Sequence, residues 1–196
     1  MTEEYISVKD RIISSAIDII SDAGLASLTP KVIGMRTNIG ETMLYKYYGS
    51  INEILSDVVD YYFQFDNQIY RTIASKKCTA VEKIISYVEE YAIYYDNYYS
   101  ISTLMLQYEE FLHNTATRDQ VMLGIMNRKS YLAAFFEEAI KNGEITNRFT
   151  KDQLADTISG IIMIYLLNRR IELHKGTFRT ELCSNINQWL NMIKMK

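Results

Sequence analysis

The chain has 196 residues, of which 48% are hydrophobic, enough for one medium domain or a small domain joined to a larger one. One proline and eight glycines are too few for a fold of many short strands, so long helices are expected. The net charge of −3 disfavours a broadly basic nucleic-acid binder but is compatible with a local basic patch. The longest apolar run, Ile161–Leu167, is far shorter than the ~20 residues of a membrane span, and the acidic start Met1–Tyr5 is unlike a signal peptide. We therefore expect a cytoplasmic protein.

The N-terminal quarter of the sequence predicts three helices of modest length. Apolar residues at helical spacing predict the first over about Ser7–Ala23. Thr29 followed by Pro30 is typical of an N-cap and first helical position, and opens a short second helix. A third covers Glu41–Tyr48. The motif Ser50–Glu53 predicts a capping box at the start of a long fourth helix.

Apolar stripes predict further helices along the rest of the chain. Steps of three and four residues run through positions 51–69, 81–95, 101–111, 121–139, about 151–174 and 182–193. No segment alternates with period two for long enough to predict a sheet. The sequence therefore predicts an all-α protein, with a three-helix domain over residues 1–50 and a larger helical bundle over residues 51–196.

Residues 29–48 have the pattern of a helix-turn-helix, the unit that places a recognition helix in the major groove. Gly34 stands where two helices must cross closely, and Asn38 stands where the turn needs a positive φ. Ile33, Ile39 and Leu44 are the expected inward anchors. The alternative interpretation is an ordinary helical hairpin, which the spacing and the flanking caps support less well than a helix-turn-helix. Residues 29–51 carry three basic side chains and one acidic side chain, a local net charge of +2.

Over Arg11–Leu55 the sequence resembles the DNA-binding domain of the TetR (tetracycline repressor) family. The resemblance runs through Arg11-Ile12-Ile13, Ala16, Gly24, Leu28-Thr29, Ile33-Gly34, Ile39, Leu44-Tyr45, Tyr48, Ser50 and Glu53-Ile54-Leu55. It implies three DNA-binding helices followed by a ligand-binding and dimerisation domain. The sequence departs from the family pattern at Asn38, Gly40, Thr42, Tyr47-Tyr48 and, above all, Ile51, where the family usually has a phosphate-binding lysine.

The resemblance implies a set of DNA-binding residues. Backbone contacts would come from Thr29, Tyr45, Lys46 and Tyr47, with Lys31 and Arg36 on or beside the same basic patch. Gly40 opens the recognition helix, and Glu41, Thr42 and Met43 would meet the base edges. For Glu41 an equal alternative is that an acid simply suits the positive end of a helix dipole.

Sixteen tyrosines, concentrated at positions 61–62, 87–99 and 108, suggest an aromatic effector site between helices. The alternative, which has more weight, is that these stripes are ordinary core. The candidate ligand-binding residues are Tyr62, Tyr91, Tyr95, Met105, Tyr108, Phe111 and Met122. The candidate dimer interface is Ile161, Ile162, Tyr165, Leu182, Ile186, Trp189 and Ile193, although the stripe from Leu182 to Ile193 could equally be intramolecular core.

Other chemistry lacks support in the sequence. His113 and His174 have no partners at metal-ligand spacing, and Cys78 and Cys183 are isolated, so neither a metal site nor a disulfide is expected. No cofactor-binding or catalytic motif occurs, and no enzyme activity is expected. The sequence therefore predicts a homodimeric regulator, most simply a repressor released from operator DNA by an apolar or aromatic small molecule. The alternative, motivated by Gly40 and Ile51, is a helical ligand- or protein-binding module that has weakened or lost DNA binding.

Overall fold

The computed structural model describes residues 7–171 and 177–195 of the chain. Among these residues there is no β-strand, only a single antiparallel bridge between Ile145 and Lys194, so the predicted all-α fold is confirmed. Short 3₁₀ segments cover Leu25–Ser27 and Leu104–Gln107. The described helices are α1 (Val8–Ala23), α2 (Pro30–Thr37), α3 (Glu41–Tyr47), α4 (Ile51–Phe63), α5 (Asp66–Ala74), α6 (Ala80–Asn97), α7 (Tyr99–Thr103), α8 (Tyr108–His113), α9 (Arg118–Lys141), α10 (Lys151–Arg170) and α11 (Phe178–Ile193).

The described residues form two compact units. The first contains the residues up to Gln64 together with Thr103–Leu123, and the second contains Phe65–Ser102 together with the residues from Gly124 onward. These units are defined by packing, and they do not test the predicted functional division after residue 50, which stays a prediction. None of the described helices is both long and apolar enough to cross a lipid bilayer.

The first unit is organised around α1. Its face of Ile12, Ala16, Ile17 and Ile20 is completely buried, and α1 packs against both α2 and α4. Local capping fixes where these helices begin, because the Ser7, Thr29 and Ser50 side chains each accept a bond from a backbone N–H three residues on. The predicted capping box at Ser50 forms only in part: the Glu53 carboxylate accepts from the N–H of Gly49 at 2.8 Å.

Two predicted helices are divided in the structure. The apolar stripe over residues 51–69 predicted one continuous helix, but α4 ends at Phe63 and α5 begins at Asp66. The predicted sixth helix over residues 101–111 is a sequence of α7, a 3₁₀ turn and α8. The predicted eighth helix reached His174, whereas α10 ends at Arg170; His174 and the predicted break at Gly176 lie outside the described residues.

The second unit has a core of α6 and α11, with α5 packed on α6 and α10 packed on α11. Inside this mostly apolar core lies one buried ion pair, in which the Arg128 guanidinium donates to both carboxylate oxygens of Asp66, at 2.6 and 3.0 Å. The Tyr91 hydroxyl donates to the same carboxylate at 2.7 Å, and the Tyr95 hydroxyl accepts from Arg128 at 3.0 Å. Each charge in this cluster is therefore paired, as burial requires.

A polar clasp closes one end of the second unit. The N–H of Thr146 donates to the carbonyl of Ile193 at 2.8 Å, and the N–H of Met195 donates to the carbonyl of Glu144 at 3.0 Å. The Glu144 carboxylate in turn accepts from the first two N–H groups of α6, those of Ala80 and Val81, at 3.0 and 2.8 Å. Burial opposes the charge on this carboxylate, but the N–H bonds prevail and the pKa of Glu144 is lowered.

Candidate functional site

The turn between α2 and α3 has the geometry that the sequence predicted. Asn38 adopts the left-handed conformation with φ 56° and ψ 38°, and it is the only described residue other than glycine with a positive φ. The N–H of Ile39 donates to the carbonyl of Gly34 at 3.1 Å. A Cβ placed on Gly34 would lie 2.8 Å from the Ile39 carbonyl oxygen, which is closer than a Cβ and a backbone atom can approach. Gly34 therefore permits the close crossing of α2 and α3.

Buried anchors hold the two helices in the core of the first unit. Ile33 and Leu44 are completely covered, and Ile39 is half-buried. The Arg11 side chain on α1 donates to the carbonyl of Thr37 at 3.1 Å, which satisfies an acceptor at the end of α2. Because α1 packs against α2 and α2 packs against α3, the pair is supported from the side opposite to the residues it exposes.

The opposite side of the pair is exposed. Leu44 is the one buried residue of α3, so the side chains on either side of it face solvent. Every predicted DNA-binding residue is exposed, namely Thr29, Lys31, Arg36, Gly40, Glu41, Thr42, Met43, Tyr45, Lys46 and Tyr47. Two exposed apolar side chains on α2, Val32 and Met35, were not predicted, since a hydrophobic residue in a helix ordinarily indicates core. Exposure makes contact with DNA possible, and the individual DNA-binding roles stay predictions.

The basic residues of this surface differ in their partners. Arg36 on α2 pairs with Asp22 on α1 at 2.9 Å and lies 3.9 Å from Asp18. Within the described part of the chain, no ion pair involves Lys31 or Lys46. The sequence could not show the acidic partners of Arg36, because they lie 14 and 18 positions away along the chain.

Tyr48, the residue directly after α3, is buried inside the first unit. Its hydroxyl donates to the Asp57 carboxylate at 2.8 Å, and the Lys9 ammonium lies 5.0 Å from its ring centre. Burial, followed by the hydrogen bond and negative charge of Asp57, raises the pKa of Tyr48. The hydroxyl therefore stays protonated and ties the C-terminal end of α3 to α4.

The first unit also contains a small apolar cavity, at the side of α4. It encloses about 20 Å³, room for about one water molecule. Four of the seven predicted ligand-binding residues line it. The lining residues that were not predicted from the sequence are aliphatic, apart from Phe63, whereas the prediction had concentrated on tyrosines. The lining consists of Val58, Val59, Tyr62, Phe63, Leu104, Met105, Tyr108, Phe111 and Val121. Burial raises the pKa of Tyr108, so its hydroxyl is a neutral hydrogen-bonding group at this site.

The other three predicted ligand-binding residues lie elsewhere. Tyr91 and Tyr95 belong to the core of the second unit, in the buried Asp66–Arg128 cluster. Met122 is 44% exposed and does not line the cavity, although its neighbour Val121 does. For these three positions the structure favours core or surface over the predicted ligand-binding role. No group of three His, Cys, Asp or Glu side chains suited to a metal ion occurs among the described residues.

The predicted interface residues divide by helix. On α11, Leu182 and Ile186 are each 1% exposed and Ile193 is also buried, which favours the intramolecular alternative for this stripe. Trp189 is half-buried and packs edge-on against Phe136. On α10, Ile161, Ile162 and Tyr165 are half-buried, while Ile164 and Leu167 are 47% and 43% exposed. Exposed apolar side chains therefore lie on α10 at Ile164 and Leu167, and on α11 at Met192, which is 81% exposed.

Comparison with known proteins identifies the fold. No family model and no curated protein sequence matches the chain. A ketosteroid transcriptional regulator of Mycobacterium tuberculosis, KstR2, superposes with a TM-score of 0.83 at 11% identity, covering 97% of this chain and 96% of its own. PfmR of Thermus thermophilus, a TetR-family transcriptional regulator, gives 0.80 at 14% identity, with coverages of 93% and 98%.

A third similar structure, FadR of Bacillus subtilis in complex with stearoyl-CoA, gives a TM-score of 0.76 at 18% identity, covering 92% of this chain and 96% of its own. These likenesses extend over nearly the whole chain, although the sequence resemblance was confined to Arg11–Leu55. The chain therefore has the fold of the TetR-family transcriptional regulators.

Proposed function

We propose that the chain is a ligand-responsive DNA-binding transcriptional regulator that acts as a repressor and is released from operator DNA by an apolar small molecule. The observation that carries the proposal is the α2–α3 pair, with its close crossing at Gly34, its left-handed turn at Asn38 and its exposed outer face. This arrangement is what insertion of a helix into the major groove requires. The likeness to solved transcriptional regulators supports the same conclusion.

On DNA, α3 is the recognition helix. Thr42 and Met43 lie in its exposed first turn, where they can contact thymine methyl groups, and Glu41 can accept from cytosine N4. Lys31 and Lys46 supply charge for the phosphate backbone, and Tyr45 and Tyr47 add hydroxyl donors. With so few cations in each subunit, the salt dependence of binding is shallower than that of a strongly basic repressor.

The effector binds at the cavity beside α4. Its lining is mostly aliphatic and aromatic side chains and includes the tyrosines Tyr62 and Tyr108, and this composition suits an apolar ligand with few hydrogen-bonding atoms. A typical ligand site holds about 300–1,000 Å³, so the cavity must open many-fold from 20 Å³. Opening displaces Val58, Val59, Tyr62 and Phe63, all on α4.

Displacement of α4 reaches the DNA-binding face through direct packing. α4 lies against α1, α1 lies against α2, and the Tyr48–Asp57 hydrogen bond joins α4 to the end of α3. A ligand that binds the opened form more tightly therefore weakens DNA binding, and DNA weakens ligand binding by the same factor.

The functional unit is a homodimer, because one helix-turn-helix contacts too few base pairs for specificity. Its interface uses the exposed apolar stripe of α10, in which Ile164, Leu167 and, directly after the end of the helix, Ile171 recur at steps of three and four. Ile161, Ile162 and Tyr165, which were predicted from the sequence, flank this stripe and are half-buried within their own subunit.

The experiment is a titration of the dimer with DNA from upstream of its own gene, at several salt concentrations. Lys46→Ala is expected to weaken binding to all sequences alike and to reduce the log–log salt slope by roughly 0.9 for each phosphate that is no longer neutralised. Lys76→Ala removes an equally exposed lysine from the second unit and is the matched control. Equal affinity for Lys46→Ala and the wild type would reject this docking, and no binding by the wild type would reject DNA recognition altogether.

The effector is tested with two probes suggested by the similar structures, stearoyl-CoA and a ketosteroid. Either probe is expected to lower DNA affinity if it enters the cavity, and DNA is expected to lower probe affinity equally. If a probe bound without any effect on DNA affinity, ligand binding at the cavity would not control DNA binding.

A second candidate, a helical binding module with weakened or lost DNA binding, has two observations in its favour. Arg36 is paired with acidic side chains, and Ile51 replaces a basic residue at the start of α4, so the phosphate-binding charge is low. The same DNA titration distinguishes the two, because this module would bind probes but no DNA.

A further inference from the structure

The pairing of Arg36 is a feature of the helix-turn-helix that DNA binding does not require. Its guanidinium lies on α2, and the two carboxylates lie on the exposed side of α1, one turn apart at Asp18 and Asp22. Arg36 Nη1 is 2.9 Å from Asp22 Oδ2, and Nη2 is 3.9 Å from Asp18 Oδ2. A positive charge on the candidate DNA-binding surface is thus shared with two negative charges of the same unit.

The ion pair between Arg36 and Asp22 is exposed and therefore weak, which limits its effect on DNA binding. The side chains of Arg36 and Asp22 are 42% and 58% exposed, and an exposed ion pair of this kind changes an equilibrium constant by only about 1.4- to 5-fold. Such a pair cannot hold Arg36 permanently away from a DNA phosphate, to which an arginine can form two parallel hydrogen bonds. It can, however, reduce the net gain from that contact.

We propose that Asp18 and Asp22 compete with DNA phosphate for Arg36 and thereby attenuate the affinity of the regulator for all DNA sequences. On binding, the guanidinium exchanges its carboxylate partners for a phosphate, and the loss of the pair offsets part of the gain. This proposal rests on the proposed function, since it supposes that the α2–α3 surface binds DNA. Its consequence is a regulator whose affinity for operator and for random DNA is lowered by the same factor, while base contacts from α3 set the preference between sites.

The effect of replacing Asp18 and Asp22 can be calculated from the same range of about 1.4- to 5-fold for an exposed ion pair. In Asp18→Asn/Asp22→Asn, Arg36 has no acidic partner to leave, and affinity should rise about 1.4- to 5-fold for each subunit. A dimer contains two such arginines, so the expected gain is about 2- to 25-fold if the subunits act independently. The gain should be the same for operator and random DNA, because a phosphate contact carries no sequence information.

The chain offers a closely matched control. Lys129 and Asp156 form another ion pair in the second unit, at 2.8 Å, and their side chains are 42% and 60% exposed. Asp156→Asn therefore removes a carboxylate of the same exposure and changes the net charge in the same direction. It should leave DNA affinity unchanged.

A double-mutant cycle separates competition from general repulsion. The Asp18→Asn/Asp22→Asn change is made both in the wild type and in Arg36→Ala, with Arg36→Gln as a second variant that keeps part of the side-chain length. Competition predicts a clear gain with arginine present and a much smaller gain in both Arg36 variants. Circular dichroism shows whether each variant keeps its helices, which the exposure of these side chains leads us to expect.

The outcomes are distinct. An equal gain in all backgrounds would mean that the acids act by long-range repulsion, and no gain beyond that of Asp156→Asn would mean that Arg36 does not meet a phosphate; either result overturns the proposal. No DNA binding by the wild type would instead refute the proposed function, and this inference with it.

Discussion

Gly34→Ala is the most direct test of the geometry at the centre of the candidate DNA-binding surface. The added methyl group would lie 2.8 Å from the Ile39 carbonyl oxygen, so α2 and the turn must separate. Forced overpacking of this kind costs about 1–3 kcal/mol. The hydrogen bond from the Ile39 N–H to the Gly34 carbonyl, 3.1 Å long, would also weaken, at a cost of about 0.5–1.5 kcal/mol.

An opposing contribution comes from helix propensity. Alanine is about 0.5–1 kcal/mol better than glycine inside a helix. The net loss is therefore about 2 kcal/mol, which for a chain of this size corresponds to a melting temperature lower by about 4–8 °C. DNA affinity should fall as well, because the separation moves α3 relative to α2 and α1.

Gly160→Ala is the matched control. Gly160 is also inside a helix, but a Cβ there would meet nothing within 4 Å. Helix propensity alone then applies, and the melting temperature should rise by about 1–4 °C. Thermal unfolding followed by far-UV circular dichroism measures both variants, and a DNA titration measures the consequence for binding. If Gly34→Ala were as stable as Gly160→Ala, the close crossing would not exist as described.

Three further predictions use the same assays. Asn38→Ala should lower stability by about 1–2 kcal/mol because alanine is strained at φ 56°, whereas Asn38→Gly should not; equal stability of the two would contradict the left-handed turn. Ile51→Lys should tighten binding to all DNA sequences, and tightening confined to particular sequences would place this position away from the backbone. Ile164→Glu, on the exposed stripe of α10, should give folded monomers by light scattering, whereas Ile186→Glu, buried at 1%, should unfold its unit. A folded, dimeric Ile186→Glu protein would show that this side chain is not core.

The helix-turn-helix could be predicted from the sequence because its determinants are local. A cap at Thr29, a positive φ at Asn38 and a close crossing at Gly34 each depend on a single residue type at a fixed place, and the structure has all three. The break between α4 and α5 could not be predicted in this way. The apolar spacing continues through Phe65, although α4 ends at Phe63 and α5 begins at Asp66.

Other features depend on contacts between distant parts of the chain. Apolar periodicity shows that one face of α11 is covered, but it does not show by what, and Ile186 is buried within its own unit. The tyrosine count led to Tyr91 and Tyr95, whose hydroxyls belong to the buried Asp66–Arg128 cluster. Val58 and Val59 line the cavity but could not be identified from the sequence, because the sequence does not distinguish a valine that lines a cavity from one that packs in a core.

The polar clasp in the second unit bears on how the protein can be handled and trimmed. Residues 193–195 give one carbonyl and one N–H to the segment that carries Glu144, and that carboxylate supplies acceptors for the first turn of α6. Deletion of Lys194 and Met195 would therefore also affect a site far along the chain, by fraying the start of the 18-residue helix α6. A shortened form of the chain should retain Met195, whose N–H completes these hydrogen bonds.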